Sequence, residues 1–446
     1  MRSRTPKVLH ELAGRPLVGW PIAAAHDAGA DRVVVVHSPD GALDALLAAA
    51  PPTVTGAIQA QADGTAGAVL SGLPALDDAE IRTVVVVPGD APLVDGQTIR
   101  DLVERHEARS AAATVLGAEL ADPSGYGRLV RDEQGDLLRI VETKAPGDAT
   151  EDELAIREVN AGVYAFDAAR LQAALEQIGT DNAQGERYLP DVLAVLRAAG
   201  GAIGAVTAAD PDVVLGVNDR WQLAQVGAIT RARLLRAHAE AGVTFLDPSS
   251  VLVDADVQIG QDTVIEPGVQ LRAGTLVGRD CLIGQGTVAI GSDIADGATI
   301  RSSTLDGARV GEGASVGPYA YLRPGAQLHA AAKVGTFVEI KNSLIGEGSK
   351  VPHLSYIGDA DVGPGSNLGA ATITANYNAK TKVKSRTVLG ANVRTSVDTT
   401  LVAPVMLGDR AYTAAGSVVT EDVPEGGLAV ARARQRNIDG YADRGA

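Results

Sequence analysis

A six-residue beat of aliphatic side chains constrains this chain more than any other feature. Val253, Ile259, Ile265, Leu271, Val277 and Ile283 fall six apart without interruption. Val310, Val316, Leu322, Leu328, Val334 and Ile340 repeat the pattern, as do Ile345, Val351 and Ile357, and then Leu401, Leu407 and Thr413. A helix repeats near 3.6 residues and an antiparallel strand at two, so neither holds that phase. The period is that of a hexapeptide solenoid, a left-handed parallel β-helix of triangular coils, expected from about residue 245 to 425. Each face points one aliphatic side chain inward, and small residues take the corners. The aliphatic positions are core and nothing more, so function must sit where the period breaks. It breaks at Asn342-Ser343, at 359–361, and widely over 374–400.

The first half has another texture. Arg32–Val36 and Thr83–Val87 are short β-branched runs, and Ala112-Thr114-Val115-Leu116 is a third. They alternate with the helical stretches Pro16–Gly29 and Thr98–Arg109, which predicts an α/β doubly wound, Rossmann-like domain over 1–217 with a parallel sheet covered on both faces. Asn218 to about Ala241 lacks proline and spaces its apolar residues by three and four, so 218–244 is expected to be a linker helix ahead of the β-helix domain, 245–446. Hydrophobic content of 46% supports real cores, while an aromatic content of 3% leaves packing to Val, Ile and Ala. A net charge of −16 argues against nucleic acid or anionic membrane as partner. Cys281 is the one cysteine and suits a small buried position in a reducing compartment. No apolar run approaches the ~18 residues of a membrane span, and the start MRSRTPKVLHELAG lacks a signal-peptide core, so the chain reads as soluble and cytoplasmic.

Several stretches carry a resemblance. They are TPKVLHELAGRPL (5–17), GTAGAV (64–69), PGDAPL (88–93), DPSGYGRL (122–129), IVETKA (140–145), REVNAGVYAF (157–166), DNAQGE (181–186) and GVNDR (216–220). In the second half they are YLRPGA (321–326), FVEIKNS (337–343), GSKVPHLSYIGDA (348–360), TANY (374–377), LVAPV (401–405) and LAVARARQRNI (428–438). In order and spacing the whole chain resembles the bifunctional N-acetylglucosamine-1-phosphate uridyltransferase/glucosamine-1-phosphate acetyltransferases, which make UDP-N-acetylglucosamine for bacterial cell walls. The resemblance implies a cytoplasmic homotrimer that uses Mg²⁺, with UTP and acetyl-CoA as co-substrates.

For the nucleotidyl site, the resemblance makes Asp90 and Asn218 the Mg²⁺ ligands, and oxygen donors suit that hard ion. Asp90 also follows a Val-rich strand, where open α/β sheets bind ligands. Gly89 and Lys7 would meet the nucleotide, with Lys7 on its phosphates. Gln59, Gly64 and Thr65 look like uracil contacts, and Gly127, Glu142 and Asn160 like amino-sugar contacts. The family opens with a strand and a glycine-rich loop ending in Gly-Thr-Arg-Met; the chain begins at Met1-Arg2-Ser3, where that loop should finish, so strand and loop are both absent. From this an unstable first half or an incomplete gene model is expected, with UTP not productively held.

Acetylating an amine requires removing its proton, and histidine titrates near ~6.5. His353 matches the family's general base. Arg323 and Lys341 each follow an inward aliphatic one coil apart, so they share a face. Two stacked cations in so acidic a chain suggest an anion, the sugar-1-phosphate. Tyr356 joins them near a corner that can face a neighbouring subunit. By resemblance Asn367 would hold the sugar, Asn376 and Tyr377 would position amine and thioester, and Lys384 would reach an adjacent subunit. Ala370, Ala415 and Arg432 are the coenzyme A candidates, together with Val397, which stands where the family carries serine. TANYNAKTKVKSRTVLG also holds about two extra residues. Three alternatives remain open from the residues: acetyl transfer alone, a non-catalytic hexapeptide scaffold, and a pyrophosphorylase of another specificity. A scaffold has no reason to keep Arg323, Lys341, His353 and Tyr356 in register.

Overall fold

The computed structural model describes residues 1–76, 80–143, 148–180 and 185–444. Lys144-Ala145 of the IVETKA stretch and 181–184 of DNAQGE therefore lie outside the described residues. The chain forms two compact units, Met1–Thr230 and Arg231–Ala446, and the helix Arg220–Glu240 runs across the boundary.

In the first unit the Val-rich runs become the strands Val33–His37, Thr83–Val86 and Ala113–Glu119, separated by helices such as Gly19–Asp27 and Gly96–Ala108. The latter starts where the Asp95 carboxylate accepts the Thr98 N–H at 2.8 Å, and it buries Ile99, Leu102 and His106 along one face. The expectation of a purely parallel sheet is corrected. Glu158–Asp167 runs antiparallel between Thr83–Val86 and Ala113–Glu119, while Ile203–Thr207 pairs parallel with Ala113–Glu119. A strand covered on both faces reads as a continuous apolar run whichever way it points, so the sequence carried no sign of its direction. Val33–His37 pairs in parallel with Val54–Ile58 as a separate two-stranded sheet.

The second unit is the solenoid. Three parallel sheets of seven, ten and nine strands form its faces, in the arrangement of a left-handed parallel β-helix. The inward residues stack in register, as in Leu305↔Leu322↔Ile340↔Ile357 on the second face, and all four are fully buried. Hydroxyls at the corners satisfy backbone groups that the turn leaves unpaired: Ser343 Oγ donates to the Lys341 carbonyl at 2.8 Å and accepts the Ala360 N–H at 2.9 Å. Some turns are one residue short. Ala289 and Ile294, Leu305 and Val310, Ile340 and Ile345, and Ile357 and Val362 are consecutive core residues only five apart. Each pair spans the corner between the second and third faces, where the backbone is left-handed at Gly291, Gly307, Asn342 and Asp359 (φ +51°, +56°, +44° and +49°). Cys281 is buried in the coil. Among the described residues, no helix is long and apolar enough to cross a membrane.

Candidate functional sites

In the first unit three clusters collect the candidate residues. The Val217 N–H donates to the Asp90 carbonyl at 3.1 Å, which brings the end of the Thr83–Val86 strand beside Asn218. Lys7 arrives from a short 3₁₀ turn, and its ammonium donates to Asp90 Oδ2 at 2.5 Å and Asn218 Oδ1 at 3.1 Å. Gly89 lies against the Val8 and Val18 side chains that carry this turn. Two side-chain oxygens thus converge on one cationic point, the donor set that a hard divalent ion takes alongside water and phosphate oxygens. Among the described residues no group of three or more His, Cys, Asp or Glu side chains could hold a metal by itself.

The second cluster opens the helix Thr65–Gly72. Gln59 Nε2 donates to Asp63 Oδ1 at 2.9 Å and to the Gly64 carbonyl at 3.1 Å. Gly64 sits at φ +100°, and a Cβ there would stand 2.5 Å from the Arg187 carbonyl oxygen. The Thr65 hydroxyl is committed to the Leu189 N–H, at 3.0 Å. In the third cluster the Asn160 N–H donates to the Gly127 carbonyl at 2.8 Å, and Asn160 Nδ2 donates to the Tyr164 hydroxyl at 2.7 Å. Glu142 Oε1 lies 3.6 Å from the Cβ position at Gly127. Burial pushes the Tyr164 phenol up, only partly offset by the Asn160 bond. Asp63 and Tyr164 were not singled out from the sequence, although both fall in or beside stretches that were.

In the second unit one corner column stands out. Thr336 pairs with His353 on the first face, and Lys350, Asn367, Arg394 and Tyr412 continue that face coil by coil. Three residues further on in each coil come His353, Ala370, Val397 and Ala415, so these four occupy one position of successive turns. The backbone bonds Ala371 N–H to His353 O, Asp398 N–H to Ala370 O and Gly416 N–H to Val397 O tie the column together, at 3.2, 2.9 and 3.0 Å. Arg432 ends it, with its Cδ 3.9 Å from the Cβ position at Gly416. The His353 imidazole is exposed and makes no hydrogen bond among the described residues.

The cations gather at the other end of the second face. Arg323 pairs with Glu339 at 2.7 Å, and Lys341 follows one coil on. The Lys384 amine touches that of Lys341 and, by contact and then by charge, holds it below the ordinary lysine range. Within its own chain, Lys384 thus lies beside Lys341. The strands Tyr377–Asn378 and Val383–Lys384 pair antiparallel and return the lysine to the base of the inserted hairpin. Arg386 anchors that base on Asp361, with Nε to Oδ2 at 2.9 Å, and on the Ala360 carbonyl at 3.2 Å. Tyr356 lies along the face between the two ends, its hydroxyl over Gly358, where any Cβ would collide with it. Asn367 stands apart from the cations within the chain, since it begins the first face and the third face, Ala360–Val362, intervenes. Three residues at this end were not singled out individually: Glu339, Asn342 and Asp359. The breaks in period at 342–343 and 359–361 were the signal for the last two.

Both units match known families. Residues 1–181 match the MobA-like NTP transferase domain, and residues 256–291 match the bacterial transferase hexapeptide (six repeats). The chain is 48% identical to the bifunctional protein GlmU of Mycolicibacterium vanbaalenii, across all of this chain and 90% of the relative. It is 49% identical to that of Streptomyces avermitilis and 47% identical to that of Thermobifida fusca, each across all of this chain and 92% of the relative. With both units and both candidate sites inside these alignments, the chain belongs to the family of bifunctional GlmU transferases, a nucleotidyltransferase and an acyltransferase in one polypeptide.

Proposed function

We propose that the second unit transfers an acetyl group from acetyl-CoA to glucosamine-1-phosphate, and that the first then joins the product to UTP, giving UDP-N-acetylglucosamine and pyrophosphate for cell-wall synthesis. The observation that carries the acetyl reading is an exposed, uncommitted imidazole at the corner where the second face of the solenoid begins and a cationic cluster where that face ends. Arg323, Lys341 and Lys384 hold the phosphate. His353 takes the proton from the amine as its nitrogen bonds to the acetyl carbon, the carbon–sulfur bond breaks, and the proton passes on to the leaving sulfur. The column Ala370, Val397, Ala415 and Arg432 rises about 5 Å per coil from His353 along the solenoid, a track for an extended thioester cofactor that ends on a cation. Asn376 and Tyr377, at the hairpin base, position the amine and thioester, and Asn367 contributes from a neighbouring subunit.

In the first unit Asp90 and Asn218 hold Mg²⁺, with Lys7 on the phosphates. The metal offsets charge between two polyanions when bound. Gln59, Gly64 and Thr65 frame the base, the Thr65 side chain by fixing the 189 segment. Gly127, Glu142 and Asn160 hold the amino sugar. The protein works in the cytoplasm as a homotrimer. Its exposed Tyr319–Phe337 stack, centroids 5.7 Å apart, continues onto exposed Leu354 as an apolar corner ladder that a second copy covers.

The test measures two products from one preparation. Free thiol should appear only when glucosamine-1-phosphate meets acetyl-CoA, and pyrophosphate only when N-acetylglucosamine-1-phosphate meets UTP and Mg²⁺. Thiol without pyrophosphate would leave an acetyltransferase alone, and neither product would leave a scaffold.

A further inference from the structure

One buried carboxylate beside the cations has no role in the proton transfer described above. Asp359 is 6% exposed. It sits at a shortened corner, Ile357 and Val362 being five residues apart, where the backbone turns through φ +49°. Both carboxylate oxygens are taken. Asn342, at the equivalent corner one coil below, donates its carboxamide to Oδ1 at 2.6 Å, and Asn376 donates to Oδ2 at 2.5 Å. The Asp359 N–H bonds the Lys341 carbonyl at 3.0 Å, and its own carbonyl accepts the Thr387 N–H at 3.1 Å. One residue thus touches the Lys341 strand, the residue that opens the hairpin, and the strand that follows it. The Ser385 N–H to Asn376 carbonyl bond, 2.9 Å, closes the hairpin base that carries Lys384.

We infer that Asp359 is a positioning residue of the acetyl-acceptor site, clamping Asn376 and the hairpin base and supplying the negative charge that lets Lys341 and Lys384 share one anion site. The inference rests on the acetyl-transfer reading above. Two ammonium groups in contact repel, and a fixed carboxylate beside them offsets part of that repulsion. The charged groups facing the pair are Arg323, which adds to the repulsion, and Asp359, which opposes it. Arg386 is neutralised by its pairing with Asp361, and Glu339 is occupied by Arg323. Burial pushes the Asp359 carboxyl up, but its two carboxamide bonds and the lysine charges outweigh this and hold it below the usual carboxylate range. It therefore stays ionised throughout the range in which the lysines titrate.

The test compares the full-length wild type with Asp359→Asn, which keeps the shape and removes the charge, and with Asn342→Ala, which removes one clamp and keeps the charge. Thermal unfolding and circular dichroism of each variant verify the coil. Asp359→Asn should raise the KM for glucosamine-1-phosphate about tenfold or more, the loss expected for a charge-assisted contact, while the KM for acetyl-CoA stays within about twofold. Without the carboxylate the lysine pair loses protons more readily, so the alkaline rise in acceptor KM should move to lower pH. Asn342→Ala should raise KM less and leave that pH profile in place. A correctly folded Asp359→Asn with wild-type KM and an unmoved alkaline limb would overturn the inference. A wild type that never releases thiol from acetyl-CoA with this acceptor would instead overturn the reading beneath it.

Discussion

Val397 gives the sharpest residue-scale prediction. It occupies a position in the His353 column, is 47% exposed, and brings a methyl where a hydroxyl could bond an amide of the cofactor arm. Val397→Ser should lower the KM for acetyl-CoA several-fold, since one hydrogen bond contributes about 0.5–1.5 kcal/mol. An unchanged or higher KM would mean that the hairpin supplies that contact. His106 makes a different prediction. Burial holds its imidazole below the ordinary histidine range, against the Asp167 and Glu107 charges that favour its protonation, and its Nδ1 meets the Thr114 hydroxyl at 3.0 Å. The unfolded state therefore binds a proton more readily than the folded one. The neutral ring's contribution is intact above the unfolded pKa near ~6.5 and is lost as pH falls below it. Trp20 and Trp221 both lie in the first unit, so urea titrations followed by tryptophan fluorescence report its stability. The midpoint should fall from pH 7.5 to pH 5.5, and fall less in His106→Gln; equal losses would assign the acid sensitivity elsewhere. At this scale the sequence revealed side chains whose chemistry is unusual for their surroundings, such as His353 and the stacked Arg323 and Lys341. It did not reveal Asp359 individually, because Gly358-Asp359 reads as an ordinary turn until Asn342 and Asn376, distant in sequence, are seen to close on the carboxylate.

Among the elements, the helix Thr65–Gly72 depends on how its first turn is approached. Gly64 at φ +100° passes so close to the Arg187 backbone that alanine must shift one of two backbone segments. Gly64→Ala should destabilise the first unit by about 1–3 kcal/mol, the range for a residue forced into a sparsely allowed conformation. It should also slow uridyl transfer and leave acetyl transfer at its wild-type rate. A neutral urea midpoint would show that the Arg187 segment yields freely. The solenoid elements were legible because every coil repeats one packing solution, so a core residue at any turn predicts the next. Two things were not. The five-residue turns escape a strict six-residue count, because dropping a corner residue changes the phase without changing the face that each aliphatic residue fills. The hairpin 376–385 appears in the sequence only as lost periodicity, and its return to Lys341 depends on pairing between Tyr377 and Lys384. In the first unit, strand positions were readable but strand direction was not, and that is why a mixed sheet replaced the parallel one.

At the scale of the molecule, the corner ladder Tyr319, Phe337 and Leu354 leaves three large apolar side chains exposed on consecutive coils, each at positive φ. Light scattering should give a mass near three times the 45.6 kDa chain, and a monomer at micromolar concentration would remove the neighbouring subunit from the acetyl site. One chain carries two reactions at two separate sites, and the product profile of His353→Ala tests this most directly. This substitution touches an exposed side chain without a hydrogen-bond partner among the described residues, so the coil should keep its stability. Removing a general base typically slows a reaction ~10²–10⁴-fold. Supplied with glucosamine-1-phosphate, acetyl-CoA, UTP and Mg²⁺, the variant should make almost no UDP-N-acetylglucosamine. Supplied with N-acetylglucosamine-1-phosphate instead, it should release pyrophosphate at the wild-type rate. Loss of both products, or of neither, in the folded variant would contradict the account.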